Sequence, residues 1–393
     1  MKNEMSKIFI FLGRSLNSIA SYCLKKEAKL ILKMGREHFF IEHTMDPEFN
    51  YKPYKKISNP YFKTWGFDFS MLEAAYYERV NGVKSNYYIP CSLFSHYIIP
   101  YLNGDVNNID KNLYRLLLGV KNQNSKYKFY MANQIIYNRN GYFYLGNDEP
   151  CSLEEAVDEV LTYKKDIIVK PTMDSTWGRG VIKLSPNIIT EKVVRNIIAQ
   201  YKKNFSFEEC IVQHPDMATL NDSSLNTTRI TTYRKPNGEI KFLFSFQRFG
   251  AKGAVVDNAS AGGYFCGVED DGTLNRVIYS YKSLKTMQLN TEVVEKIPFF
   301  FKMKEVAIYL HSKIPDANYI GWDFSITPNG IPVVIEFNRM SSVDPIQIAK
   351  GPAFSKEDLD ELMPYIAKWK VSCKAEPRIR FRGKKNSSAK VRY

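Results

Sequence analysis

Residues 319–338, YIGWDFSITPNGIPVVIEFN, read as two strands joined by a turn. An Asn-Gly pair between alternating apolar runs is the strongest short hairpin signal. With Asn329-Gly330 as a two-residue turn, residues 328 and 331 face each other, and counting outward sets Asp323 opposite Glu336. Side chains along a strand alternate faces, so Asn338 shares a face with Glu336. The other face gathers Trp322, Phe324 and Ile326 against Phe337, Ile335 and Val333, an apolar set expected to be core. Like charges directly opposed at about 5 Å are destabilising, so something positive belongs between the two acids. Two carboxylates and an amide are hard oxygen donors of the kind Mg²⁺ takes. The alternative is an exposed hairpin face with incidental acids.

Upstream, RITTYRKPNGEIKFLFSF (229–246) reads as a second hairpin around Asn237-Gly238, and KYKFYMANQIIYNRNGYFYLG (126–146) as two strands around the NRNG turn. In SLEE (152–155) Ser152 and Glu155 make a capping box that opens a helix ending near Lys164. DIIVK (166–170) and VIKL (181–184) are short strands, TEKVVRNIIAQYKK (190–203) has helical spacing, and CIVQ (210–213) reads as a strand. A long helix is expected around residues 292–312. Strands mixed with helices and hairpins fit an α+β class with antiparallel sheets. No repeat is evident.

Residues 1–104 read as a mostly helical region: SMLEAAYYERV (70–80) has helical character, and NPYFKTWGFDF (59–69) is an aromatic loop or strand. The turn formers NGDVNNID (103–110) mark a boundary. The expected divisions are 1–104, 105–209, 210–371 and a basic tail, 372–393. That tail has eight Lys or Arg against one Glu, half of the chain's net charge of +14. It reads as a solvated segment able to touch anionic partners or lipid headgroups weakly. Nucleic acid is not an expected partner, since no helix-turn-helix, zinc-finger or RNP pattern occurs. No apolar run nears the ~20 residues that cross a bilayer, and the apolar part of KIFIFLG (7–13) is too short for a secretory signal. Six scattered cysteines without CxxC spacing fit free thiols. These features predict a cytoplasmic protein.

Lys170 ends a strand and precedes a loop carrying Asp174, Ser175, Thr176, Gly178 and Gly180. Glycines let backbone N–H groups approach phosphate oxygens, and a lysine supplies a point charge. No Walker A pattern is present, and an ordinary strand–turn–strand reads equally well.

In order and spacing, IDKNLYRLL (109–117), the SLEEAVDEV helix, DIIVKPTMDSTWGRGV, CIVQ, NTTRITTYR, FQRFGAKGAVVDNASAGG and YIGWDFSITPNGIPVVIEFN resemble the ATP-grasp superfamily. The likeness is to its sugar-transfer-associated branch, whose members tend to be linked with surface-polysaccharide synthesis. It implies the ATP-grasp fold, two α+β subdomains clamping ATP, preceded here by the helical N-terminal region. It implies that Lys111 and Lys170 contact nucleotide phosphates and that Ser175, Thr176, Gly178 and Gly180 close over them. Trp177 and Arg179 are bulkier than the residues usual in that loop. Strand 210–213 resembles the adenine hinge, with Gln213 the weaker candidate there. Asp323, Glu336 and Asn338 match Mg²⁺ ligands. Arg229 matches a site-facing position, Arg248 is a second candidate, and Asp257, Asn258, Gly262 and Gly263 are candidates for an anion pocket. His214 is expected to be structural. The resemblance implies an ADP-forming ligase that activates a carboxylate as an acylphosphate for an amine or thiol. The substrates expected are small or glycan-linked carboxylates and amines. A sugar or polyol kinase and a nucleotide-binding module without turnover remain alternatives.

Overall fold

In a computed structural model of the chain, residues 49–104, 110–120, 126–173, 180–251, 253–254, 257, 262–280, 286–290 and 292–375 are described. They form two antiparallel sheets with helices, bearing out the α+β class. The first sheet holds β1 (Gln134–Arg139), β2 (Tyr142–Leu145), β3 (Pro150–Cys151), β4 (Ile167–Pro171), β5 (Ile182–Leu184) and β6 (Phe205–Glu209) in the order β3-β2-β1-β6-β4-β5. The second holds β7 (Thr227–Arg234), β8 (Ile240–Phe249), β9 (Tyr264–Val268), β10 (Val277–Ser280), β11 (Thr286–Gln288), β12 (Tyr319–Ile326) and β13 (Pro332–Asn338) in the order β11-β10-β9-β8-β7-β12-β13.

The turn residues account for both outcomes at the hairpins. Asn140 and Gly141 both take positive φ, 53° and 97°, and pair Arg139 with Tyr142 in a two-residue turn. The two Pro-Asn-Gly turns differ from that. Thr327 N donates to Ile331 O at 3.0 Å, so the loop is three residues, 328–330, with Gly330 left-handed at φ 71°. Near the turn Phe324 therefore faces Val334 and Ser325 faces Val333. A bulge between Asp323 and Phe324 then leaves Ile335 unpaired and brings Asp323 opposite Glu336. The expected pairing of the acids holds, but through two departures that cancel. The apolar face is corrected accordingly: Val334 joins Trp322, Phe324, Ile326 and Phe337 in the core under the Phe300–Ser312 helix, Val333 is buried opposite Ser325, and Ile335 is only partly buried. The β7–β8 hairpin repeats the device, with Lys235 N on Glu239 O and a bulge between Thr231 and Thr232.

Several expected elements shift for local reasons. NPYFKTWGFDF opens as a helix, Pro60–Thr64, because Asn59 caps Tyr61 N and Phe62 N and Pro60 sits at its first position. The CIVQ strand lies earlier, at β6, and residues 210–213 belong to no strand. The long helix spans Phe300–Ser312 (α5) rather than starting near 292. Pro298 and left-handed Phe299 (φ 55°) precede its first turn. The Ser152–Glu155 capping box forms as read and opens α3, Leu153–Thr162.

Three cores position the site. Helices α3 and α4 (Glu191–Tyr201) cover one face of the first sheet through Val157, Val160, Val194 and Ile198 against Ile136, Val169 and Phe207. Helix α5 covers one face of the second sheet, over Ile230, Ile320, Trp322 and Phe337. Part of the opposite face, at Tyr233, Phe244, Phe246 and Tyr319, is covered by residues 49–104, including α1 (Leu72–Asn81). Helices α6 (Asp344–Ala349) and α7 (Lys356–Ala375) complete that core. Among the described residues no helix is long and apolar enough to cross a membrane.

Candidate active site

Arg229, Thr231 and Tyr233 of β7 and Tyr319, Gly321 and Asp323 of β12 share the face that residues 49–104 partly cover, since Tyr233 and Tyr319 belong to that core. The uncovered end of this face carries the charge. Arg229 pairs in register with Asp323 across β7 and β12. Its Nη2 donates to Asp323 Oδ2 at 2.9 Å and its Nε to Oδ1, a bidentate clamp. Arg248 of β8 reaches the same carboxylate with Nη1, at 3.2 and 3.3 Å, and donates Nη2 to Asp257 Oδ1 at 3.0 Å. Asp257 Oδ2 accepts from the backbone N of Thr227 at 3.2 Å and from its hydroxyl. Burial raises the Asp257 carboxyl above its ordinary range, against the opposing pull of Arg248 and Thr227. Arg229, Arg248 and Asp323 have side chains 11%, 12% and 5% exposed. At Asp323 the positive charge is thus supplied within the chain, by guanidinium groups on β7 and β8.

Glu336 stands apart from this clamp. Its Oε2 pairs with Lys111 Nζ at 2.8 Å, and its Oε1 accepts from Asn338 Nδ2 at 3.3 Å. Both partners of the Lys111–Glu336 pair are more than a quarter exposed, at 29% and 26%. Burial works to raise the Glu336 carboxyl, but Lys111, Arg229 and Asn338 outweigh it and hold it at about 2.

Lys111 comes from the other half of the molecule. It opens α2 (Lys111–Val120), and its backbone N donates to Thr172 O at 2.9 Å, just beyond β4. Lys170, on β4, pairs with Glu208 of β6 at 2.6 Å, and Ser206 Oγ holds the other Glu208 oxygen at 2.7 Å. Tyr130 ties the halves together: its backbone bonds Pro332 and Val334 of the second sheet, and its hydroxyl donates to Glu209 at the end of β6.

The fold therefore brings Arg229, Arg248 and Asp323 into one set of direct contacts and Lys111, Glu336 and Asn338 into another, the two adjoining where Asp323 pairs with Glu336 across β12 and β13, with Lys170 two residues before the Thr172 anchor of Lys111. Gln213 is committed elsewhere: it donates to Asn221 O and Ser224 O and accepts from Asn226, fastening the loop before β7. His214 accepts from Asp216 N and caps a short helix, as expected of a structural residue. Gly180, left-handed at φ 78°, accepts a hydrogen bond from the Tyr201 hydroxyl. Ser175, Thr176, Gly178 and Asn258 lie outside the described residues. Sequence reasoning passed over Glu208, whose partner lies on a strand separated from it in sequence, and Ser341, which accepts from Arg229 Nη1 at 2.6 Å.

A family model described as sugar-transfer associated ATP-grasp matches residues 155–361, more than half of the 393-residue chain. The chain belongs to that family. Among solved structures, the sugar-transfer associated ATP-grasp chain is similar to the VanG D-Ala:D-Ser ligase from Enterococcus faecalis at 13% identity, covering 66% of this chain and 61% of that one, with a TM-score of 0.40. It is similar to the D-alanine-D-alanine ligase from Coxiella burnetii at 11% identity, 68% and 59% coverage and a TM-score of 0.38. The ATP-grasp ligase PsnB, in a complex with minimal precursor, Mg and ADP, gives 12% identity, 66% and 59% coverage and a TM-score of 0.36. The chain thus spans about three fifths of each of these structures. No curated protein sequence matches it.

The donor set fits the magnesium ion that the family implies. Glu336 and Asn338 are hard oxygen donors at the edge of the charge cluster, and Asn338 Oδ1 has no hydrogen bond among the described residues. Among those residues no three His, Cys, Asp or Glu side chains converge; the third donor here is the Asn338 amide. Exchange is cheapest at Glu336, whose lysine partner is half-buried, and dearest at Asp323, where two buried guanidinium groups would lose the carboxylate they share.

Proposed function

We propose that the chain is a Mg²⁺- and ATP-dependent ligase that activates a carboxylate as an acylphosphate for attack by an amine or thiol. The observation that carries this reading is the Lys111–Glu336 contact, which joins helix α2 to the second sheet beside the Asn338 amide. In this reading Lys111 and Lys170 hold the nucleotide phosphates, with Ser175, Thr176, Gly178 and Gly180 closing over them. Residues 210–213, which belong to no strand, meet the adenine through backbone groups. Glu336, Asn338 and Asp323 are the ligands for Mg²⁺, which when bound neutralises phosphate charge. Arg229 and Arg248, fixed by Asp323 and Asp257, face the anionic groups that develop during transfer. Asn258, beside Asp257, belongs to the same anion pocket.

A carboxylate oxygen of the substrate attacks the γ-phosphorus and ADP departs. The nucleophile then adds to the acyl carbon, phosphate leaves, and the nucleophile's proton passes to solvent or phosphate. Residues 105–209 and 210–371 act as the two jaws, and residues 1–104 form the acceptor side. The part described, 49–104, lies on the same sheet face as Arg229 and Asp323, which supports that placement. The family's name favours a glycan or glycan precursor as one substrate, and the basic tail, 372–393, supplies weak contact with anionic surfaces.

The test is a thermal-shift titration with Mg²⁺ and AMPPNP on wild type and Glu336→Gln. Ligand at about 100 times its dissociation constant stabilises a fold by about 2.7 kcal/mol. Wild type is expected to shift only with metal and nucleotide together, and the variant much less. No response from either protein removes the nucleotide site. A phosphorylated sugar in place of a condensed product replaces the ligase with a kinase.

A further inference from the structure

Arg229 is oriented from two directions. Asp323 takes its Nε and Nη2, and Ser341 Oγ accepts from Nη1 at 2.6 Å. A guanidinium has five N–H groups in one plane, so these bonds leave one on each terminal nitrogen for an incoming anion. The plane is also backed by the Phe246 ring, 6.0 Å from the Arg229 Cζ.

Ser341 reaches that nitrogen only because residue 321 has no side chain. A Cβ on Gly321 would lie 2.4 Å from both Cβ and Oγ of Ser341 and 3.1 Å from Arg229 Cδ. Gly321 does not have a positive φ, so the glycine here answers a need for space and not for an unusual backbone. Ser341 itself is 2% exposed and sits in a loop fastened on both sides. Before it, Arg339 Nη2 donates to Asn103 O at 2.8 Å and Asp316 O at 2.7 Å; after it, Ser342 Oγ donates to Asp344 Oδ2 at 2.9 Å. Asn103 in turn donates to Tyr319 O and Arg339 O, so the N-terminal region braces the loop that braces the arginine.

We propose that Ser341, admitted by the gap at Gly321, is a positioning residue that sets the angle of the Arg229 guanidinium toward the transferred phosphoryl group. This rests on the ATP-dependent reading above. The readout is the ratio of dissociation constants for Mg-ADP and Mg-AMPPNP, measured by calorimetry, which isolates what the third phosphate gains. Arg229→Gln is expected to reduce the preference for Mg-AMPPNP by tenfold or more. Ser341→Ala is expected to reduce it about fivefold with Mg-ADP affinity unchanged, and Gly321→Ala to act in the same direction. In an Arg229→Gln background, Ser341→Ala should then add nothing, because its effect passes through the arginine. A Ser341→Ala ratio equal to wild type, or a further loss in the Arg229→Gln background, overturns the proposal while leaving the ligase reading standing. Should Arg229→Gln itself leave the ratio unchanged while Mg-AMPPNP still binds, both the arginine's phosphate role and this inference fall. If Gly321→Ala does not fold, the Ser341→Ala cycle decides alone.

Discussion

The two Pro-Asn-Gly hairpins are built alike and used differently. Each has a three-residue turn that displaces the register by one and a bulge that restores it before the charged residues are reached. The β7–β8 hairpin then presents Arg229 and supports Arg248, both buried and fixed. The β12–β13 hairpin presents Asp323 to those arginines and Glu336 with Asn338 to the more open side. The difference teaches that one scaffold can hold charge immovably on one strand and leave it exchangeable on the next. Burial and partner type decide which: forked guanidinium on a dry carboxylate, or a flexible lysine on a wet one.

Breaking the joint between the hairpins should have the largest effect. Asp323→Asn leaves two buried guanidinium groups without their shared counter-charge, and we expect about 3–5 kcal/mol of lost stability by urea denaturation. A loss below 1 kcal/mol would mean that the arginines find other partners. Next in size is a contrast between the turns. Gly238 and Gly330 both have positive φ, which costs a residue with a Cβ about 1–2 kcal/mol. A Cβ at Gly238 meets open space, whereas one at Gly330 lies 2.6 Å from the Phe299 ring. Gly330→Ala should therefore destabilise more than Gly238→Ala, by about 1–3 kcal/mol of overpacking, and equal losses would show that Phe299 moves aside freely.

The smallest effect concerns the open pair. Glu336 is held at about 2, below its ordinary 4.5, so its contribution is fully present above pH 4.5 and is lost as pH falls toward 2. Lys111→Met should raise that carboxyl and move the acid loss of stability to higher pH. At neutral pH the same change should cost only about 1 kcal/mol, because the pair is partly solvated. Denaturation midpoints of both proteins between pH 2 and 7 measure this; superimposable pH profiles would remove Lys111 as the cause.

The pairing of Asp323 with Glu336 was legible in the sequence because turn and bulge compensate. The bulge itself was not, since the apolar run Val333-Val334-Ile335 suits either register. The Asn140-Gly141 turn and the Ser152 cap could be read directly, each being set by residues within a few positions. The arginine clamp was beyond reach: it depends on β7 lying beside β12, strands about 90 residues apart in the chain. Ser341 left no signal at all, because its role comes from an empty space at Gly321 across the strand.

The core shared by residues 49–104 and α6–α7 has a consequence for how the polypeptide reaches its native state. Tyr61 bonds Asp360, Tyr77 bonds Asp344, and Asn103 bonds the backbone at 318 and 319, spans of more than 200 residues. On the ribosome, the early segment must wait for nearly the whole catalytic region to emerge before its aromatic side chains find cover. Such high contact order slows folding and prolongs exposure of sticky surface, so this family member should lean on chaperones during synthesis more than a chain of its size with locally closed domains.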